Sequence, residues 1–121
     1  MPILEIEIVM RPGELLHPDM ASRLADAAGE VLRAAARTTW VKLRQLPSEH
    51  YAENLQGGPS DMFPVFVSIL KAGDSPPPPA GEAERLVAAI APICDRPSQH
   101  VHILYEPDAR GRMAFGGRLV T

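Results

Sequence analysis

Residues 2–9 read PILEIEIV, and residues 64–70 read PVFVSIL. Both segments begin with proline and carry branched apolar side chains at every second position, which is the period of a β-strand. In the first segment Leu4, Ile6 and Ile8 share one face, and Glu5 and Glu7 lie on the other. The two segments therefore predict two equivalent strands, each at the start of a repeated unit.

A helix and a further strand are predicted after each of these segments. Apolar residues fall at helical spacing from about residue 18 to 37 and again from Glu82 to about Cys94. Alternation returns at residues 39–46 (TWVKLRQL) and 100–106 (HVHILYE). The predicted order is β-α-β, a loop, and β-α-β again. A stiff, extended connection is expected over residues 73–79, which contain four prolines in a row.

These elements predict an α/β (α+β) fold in a single domain, residues 1–121. The pseudo-repeats cover about residues 2–46 and 63–106, and a C-terminal segment follows over residues 107–121. Each βαβ crossover is expected to be right-handed, so two units side by side give a four-stranded mixed sheet with both helices on one face. Because the other face has no cover in one chain, we expect a homo-oligomer.

Composition excludes several classes of function. Of 121 residues, 45% are hydrophobic and 22% charged, which argues against a disordered chain. The formal net charge is -3, so the chain has no excess of positive charge that would favour binding to nucleic acid or to an anionic membrane. Cys94 is the only cysteine, which excludes an internal disulfide and a cysteine-based zinc site. Acidic residues near the start are unlike a signal peptide, so we expect a cytoplasmic protein.

The proline after Met1, the duplicated βαβ units and the segment Phe115-Gly116-Gly117 resemble the tautomerase superfamily. Its members include 4-oxalocrotonate tautomerase, 5-carboxymethyl-2-hydroxymuconate isomerase, malonate semialdehyde decarboxylase and macrophage migration inhibitory factor. The length and the duplication resemble the long-chain members. The resemblance implies a homotrimer that acts on a small carboxylate substrate without a cofactor.

The resemblance also implies that Pro2 is the catalytic residue. In this family the initiator methionine is removed, and the exposed proline nitrogen acts as a general base. Burial and neighbouring cations disfavour the ammonium form and lower the pKa of such an amine towards neutrality. If Met1 is retained, the Pro2 nitrogen is an amide and cannot accept the proton. The alternative is then a non-catalytic trimer that binds a ligand.

Five further residues are predicted to bind substrate. Arg11 and Lys42 lie close to the positions of two substrate-binding arginines in 4-oxalocrotonate tautomerase, although lysine provides only a point charge. His102 matches a pocket tyrosine of macrophage migration inhibitory factor. Met113 lies where many members have an aromatic pocket wall, and Phe115 is a substitute for it. The competing interpretation is a solvated strand end for both cations and a packed strand histidine for His102.

The leading prediction is a cofactor-independent tautomerase or isomerase that interconverts the enol and keto forms of a small 2-keto carboxylate. A hydratase or dehalogenase in which protonated Pro2 is a general acid is the alternative in the enzyme class. A decarboxylase is less favoured, because Lys71-Ala72-Gly73 stands where that branch carries a pair of arginines. We predict no metal site, because His100 and His102 have no third ligand nearby.

Overall fold

Four strands form one sheet in the computed structural model, which describes residues 1–58, 60–73 and 78–121. The strands are β1 (Ile3–Val9), β2 (Trp40–Leu46), β3 (Val65–Leu70) and β4 (Val101–Tyr105), in the spatial order β2-β1-β3-β4. β1 runs parallel to β2 and antiparallel to β3, and β3 runs parallel to β4. The predicted four-stranded mixed sheet is confirmed. Residues 74–77 of the expected extended connection lie outside the described residues.

Two helices cover one face of this sheet. Helix α1 (Met20–Val31) follows β1, and helix α2 (Glu82–Cys94) follows β3. The core lies between the helices and the sheet, and its fully buried members come from the apolar faces of the two central strands and the inner faces of both helices: Leu4, Ile6, Ile8, Val65, Ile69, Leu24, Ala28, Leu86 and Ile90. The alternation of residues 2–9 and 64–70 thus determines which face receives the helices.

In the described part of the chain, no helix is long and apolar enough to cross a membrane.

Helix α1 ends earlier than its apolar period predicts. The periodicity extends to about residue 37, but the helix ends at Val31. Beyond it, the Ala34 amide donates to the Gly29 carbonyl and the Arg33 amide to the Glu30 carbonyl, at 2.9 and 3.2 Å. This pair of bonds is a Schellman motif, which requires a left-handed residue, and Arg33 has a φ of 53°. Arginine therefore occupies a conformation that usually favours glycine.

Arg96 connects helix α2 to the central strand. Its side chain is 1% exposed, and each of its guanidinium nitrogens donates a hydrogen bond. The carboxylate of Glu14 accepts two of these bonds, at 2.7 and 2.9 Å. The carbonyl oxygens of Val9 and Phe63 accept others, at 2.9 and 2.7 Å. Because a buried guanidinium is costly unless it is fully paired, this arrangement fixes three chain segments relative to one another.

In the described part of the chain, neither helix covers the other face of the sheet, which is called the open face below. The open face presents the charged side chains Glu5 and Lys42 near one edge and the exposed Phe66, His102 and Leu104 towards the other. A short hairpin of β5 (Ala114–Phe115) and β6 (Arg118–Leu119) completes the chain. An uncovered face with exposed large apolar side chains agrees with the sequence-based expectation of a partner chain.

Candidate functional site

A cleft of about 720 Å³ opens beside Pro2. Pro2 is buried at the start of β1, where its carbonyl accepts a hydrogen bond from the Trp40 amide at 3.0 Å. β3 runs antiparallel to β1 with Ile3 opposite Leu70, so the residues that follow β3 lie at the same end of the sheet as Pro2. The end of α1 and the start of α2 complete the walls. The volume lies in the range of small-molecule sites.

Among the described residues, three cationic side chains line this cleft, each from a different element. Arg33 belongs to the left-handed turn after α1, Lys71 follows β3, and Arg85 lies in the first turns of α2. Arg33 and Arg85 are exposed, whereas the side chain of Lys71 is only 16% exposed. A cleft with this lining favours an anion.

Lys71 is held by a buried carboxylate. Its Nζ lies 3.0 and 3.2 Å from the two carboxylate oxygens of Glu82, whose side chain is 7% exposed. The hydroxyl of Tyr105 donates to Oε1 of Glu82 at 2.9 Å. Burial first, and then the hydrogen bond to this carboxylate, raise the pKa of Tyr105 well above its ordinary value of 10.0. Tyr105 therefore stays a protonated donor at any physiological pH.

Arg11 lies at the opposite end of β1 from Pro2. Nine residues of extended chain separate the two positions, which corresponds to about 30 Å. The guanidinium of Arg11 contacts the carboxylates of Glu14 and Asp95 at 3.3 and 3.2 Å. It is not among the residues that line the Pro2 cleft of the same chain.

Lys42 and Met113 lie together in a second cleft of about 330 Å³, on the open face of the sheet. The Nζ of Lys42 is 2.6 Å from a carboxylate oxygen of Glu5, and this contact lowers the pKa of that carboxyl. Ile3 also lines this second cleft. The second cleft therefore begins one residue away from Pro2, on the other side of the sheet.

His102 and Phe115 make aromatic contacts outside the Pro2 cleft. The rings of His102 and Phe66 have centroids 5.6 Å apart on the open face. Phe115 packs edge-on against Trp40, with centroids 5.3 Å apart, which attaches the hairpin to the start of β2. Within one chain, the structure therefore brings none of the five predicted substrate-binding residues into the cleft beside Pro2.

Three charged residues among those that line the cleft were missed by the sequence prediction: Arg33, Glu82 and Arg85. Arg33 fell inside the predicted helix, and its role in the cleft depends on the early end of α1. Glu82 and Arg85 were assigned only to a helix, although the acidic first turn of that helix is a signal for a fixed carboxylate. Within residues 1–58, 60–73 and 78–121, no three His, Cys, Asp or Glu side chains cluster in a way that could hold a metal ion.

Comparison with solved structures identifies the fold. A wild-type fused 4-OT, described as a symmetric trimer, superposes with a TM-score of 0.73 at 15% identity, over 98% of this chain and 94% of that one. MIF2 of Leishmania major gives 0.69 at 17%, over 98% and 97%. FG41 malonate semialdehyde decarboxylase, inhibited by 3-bromopropiolate, gives 0.62 at 19%, over 94% and 88%.

The chain therefore has the fold of the tautomerase superfamily, and the predicted fold is confirmed. At these identities the likeness is one of fold. No protein-family model matches the sequence, and no curated protein matches it.

Proposed function

We propose that this chain is a cofactor-independent tautomerase or isomerase that interconverts the enol and keto forms of a small 2-keto carboxylate. The observation that carries the proposal is the position of Pro2, buried in a cleft that three cations line. Met1 also lines this cleft and is about half exposed, so its removal leaves the proline nitrogen at the cleft surface. A secondary amine there is a suitable general base.

In the proposed mechanism, written from the keto form, the nitrogen of Pro2 takes a proton from the carbon next to the 2-keto group and returns it to the carbonyl oxygen, which gives the enol; ketonisation follows the same steps in reverse. The electron pair of the broken C–H bond moves into the enolate, which is a dienolate for an unsaturated acid such as 2-hydroxymuconate, and its oxygen becomes negative. Arg33 and Arg85 offer guanidinium donors to the substrate carboxylate, and Lys71 offers a positive charge near the enolate. The reaction is redox-neutral and needs no cofactor.

We further propose that the protein is a cytoplasmic homotrimer of single-domain chains, each with the two pseudo-repeats at residues 2–46 and 63–106. Two similar solved structures are described as trimers of fused 4-OT. The open sheet face supports this assembly, because it exposes Phe66 and Leu104. Residues that lie away from Pro2 in their own chain are proposed to reach the Pro2 cleft of a neighbouring copy: Arg11, Lys42, His102, Met113 and Phe115.

The state of the N-terminus tests the function directly. We expect the form without Met1 to catalyse ketonisation of phenylenolpyruvate or 2-hydroxymuconate, and the form with Met1 to be inactive, because its Pro2 nitrogen is an amide. Intact mass identifies each form, and both are assayed at equal concentration. Equal activity of the two forms would rule out Pro2 as the base. A processed form that is folded but inactive on both enols, and on unsaturated acids as hydratase substrates, would favour a binding trimer.

Arg33 provides a second test of the cleft. We expect Arg33→Gly to raise the free energy of unfolding by about 1 kcal/mol, because glycine adopts the left-handed conformation without strain. The same change removes a cation from the cleft, so KM for an anionic substrate should rise by about five-fold, the equivalent of one partly exposed ion pair. Chemical denaturation and steady-state kinetics measure the two effects.

Arg37 is the matched control for that substitution. It too is a non-glycine residue with a positive φ, 67°, but it is not among the residues that line the Pro2 cleft. Arg37→Gly should therefore stabilise the fold to a similar extent and leave KM unchanged. A rise in KM of the same size in both variants would contradict a specific role for Arg33.

A further inference from the structure

We infer that Glu82 is a positioning residue that keeps the Pro2 amine basic enough to accept a proton, by acting as a counter-ion of Lys71 inside the cleft. The inference rests on the proposed function, in which the Pro2 nitrogen is the base. Glu82 touches no substrate in this proposal. It acts through Lys71, which it fixes and whose charge it balances.

Three groups around Glu82 can compensate the charge of its carboxylate. Both of its oxygens lie within 3.2 Å of the Lys71 ammonium, and Oε1 also accepts the Tyr105 hydroxyl bond. It is the first residue of α2, where the partial positive charge of the helix end stabilises an anion. With its side chain 7% exposed, a carboxylate needs such compensation, and here three separate groups provide it.

The charges around Pro2 explain why a counter-ion matters. Of the cleft-lining residues in the described part of the chain, Arg33, Lys71 and Arg85 are cationic and Glu82 is the one carboxylate. Each cation disfavours the ammonium form of the amine and so lowers its pKa. An amine whose pKa falls far below the working pH is a weak base. Glu82 offsets the most deeply buried of the three cations, so the cleft can hold a substrate anion without making Pro2 too weak a base.

The test is a titration of Pro2 itself. Protein with ¹⁵N-labelled proline and without Met1 is titrated by NMR, and the pH dependence of kcat/KM is measured in parallel. In Glu82→Gln, the loss of the carboxylate charge beside Lys71 should lower the pKa of the Pro2 amine by about one unit, a ten-fold change in the protonation equilibrium. The acid limb of the kcat/KM profile should move down by the same amount. In the control Glu84→Gln, an exposed carboxylate in the same turn of the helix, neither value should move.

Two further variants separate charge balance from a purely structural role. Glu82→Asp keeps the carboxylate and should keep the pKa of Pro2 near that of the wild type, even if it lowers thermal stability. The double variant Glu82→Gln with Lys71→Met removes both charges and should reverse the shift seen in Glu82→Gln. The double variant also provides the measurement if Glu82→Gln does not fold. If the pKa of Pro2 in the double variant is lower than in the wild type by a full unit, charge balance between Glu82 and Lys71 is contradicted.

The outcomes distinguish this inference from the proposed function. An unchanged or raised pKa in folded Glu82→Gln overturns the inference, while an active wild type leaves the proposed function standing. If Glu82→Gln lowers the pKa of Pro2 but the wild type lacks tautomerase activity, the electrostatic role of Glu82 is supported and the proposed function is contradicted. If Met1 is retained in the native protein, the Pro2 nitrogen is an amide that does not titrate, and both are overturned.

Discussion

Pro2→Ala is expected to lower kcat/KM of the processed protein by about 10²- to 10⁴-fold, the contribution of a positioned general base. The pyrrolidine ring fixes the backbone angle at Pro2 and holds the nitrogen in one orientation, whereas a terminal alanine amine rotates freely. Pro2 is also buried and lines the cleft, so its replacement changes the shape of the lining. The measurement is enol ketonisation by the variant after intact mass has established that Met1 is absent.

Pro64→Ala is the matched control for this loss. Pro64 begins the equivalent strand, is buried, and its carbonyl accepts the Val9 amide bond at 3.0 Å, as the Pro2 carbonyl accepts that of Trp40. It does not line the cleft among the residues described there. Pro64→Ala should therefore change stability more than kcat/KM. Wild-type activity in Pro2→Ala, or an equal loss in both variants, would contradict the proposed base.

The central sheet could be predicted because the pattern that determines its strands lies within short stretches of sequence. The segments at residues 2–9 and 64–70 alternate in polarity, and a strand with one apolar face has only one register that buries it. The order of elements then limits the topology to two right-handed crossovers. The end of α1 could not be predicted in the same way. Its apolar period continues beyond Val31, and only the hydrogen bonds of Ala34 and Arg33 end the helix.

Of the residues that line the cleft, the sequence singled out Pro2 and Lys71, and the catalytic role of Pro2 stays a prediction. Pro2 is marked by its place after Met1, which is a property of the sequence. The lining cations depend on distant chain segments that meet only after folding, at the end of α1, after β3 and in α2. Positions such as Lys42 and His102 were taken from the resemblance to the tautomerase superfamily. In one chain they lie on the open face of the sheet, so their role stays a prediction.

Arg96→Met is expected to lower the free energy of unfolding by about 3–5 kcal/mol, the largest effect on stability we expect from one substitution. Methionine fills a similar volume but donates no hydrogen bond. The carbonyls of Val9 and Phe63 and the carboxylate of Glu14 would each lose a donor at 2.7 to 2.9 Å. Because these groups belong to three separate segments, the loss should weaken the whole fold. Urea denaturation followed by circular dichroism measures it.

The control is Arg23→Met on the outer surface of α1. Arg23 is exposed, and its guanidinium lies 4.0 Å from the carboxylate of Asp19, so its removal should cost less than about 1 kcal/mol. A similar loss in both variants would mean that general charge, and not the buried contacts of Arg96, stabilises the protein.

The contact between Arg96 and Glu14 should also affect how the free energy of unfolding depends on pH. The hydrogen bond from Arg96 holds the pKa of the Glu14 carboxyl below its ordinary value of 4.5, against the opposing effect of partial burial. The Glu14 carboxylate therefore binds a proton less readily in the folded state than in the unfolded state. The contribution of Glu14 to stability is complete above pH 4.5 and is lost as the pH falls through the lowered pKa. In Arg96→Met that lowering is largely absent, so the free energy of unfolding should fall less steeply below pH 4.5 than in the wild type. Parallel acid dependence in the two proteins would mean that Arg96 stabilises the fold through its carbonyl bonds alone.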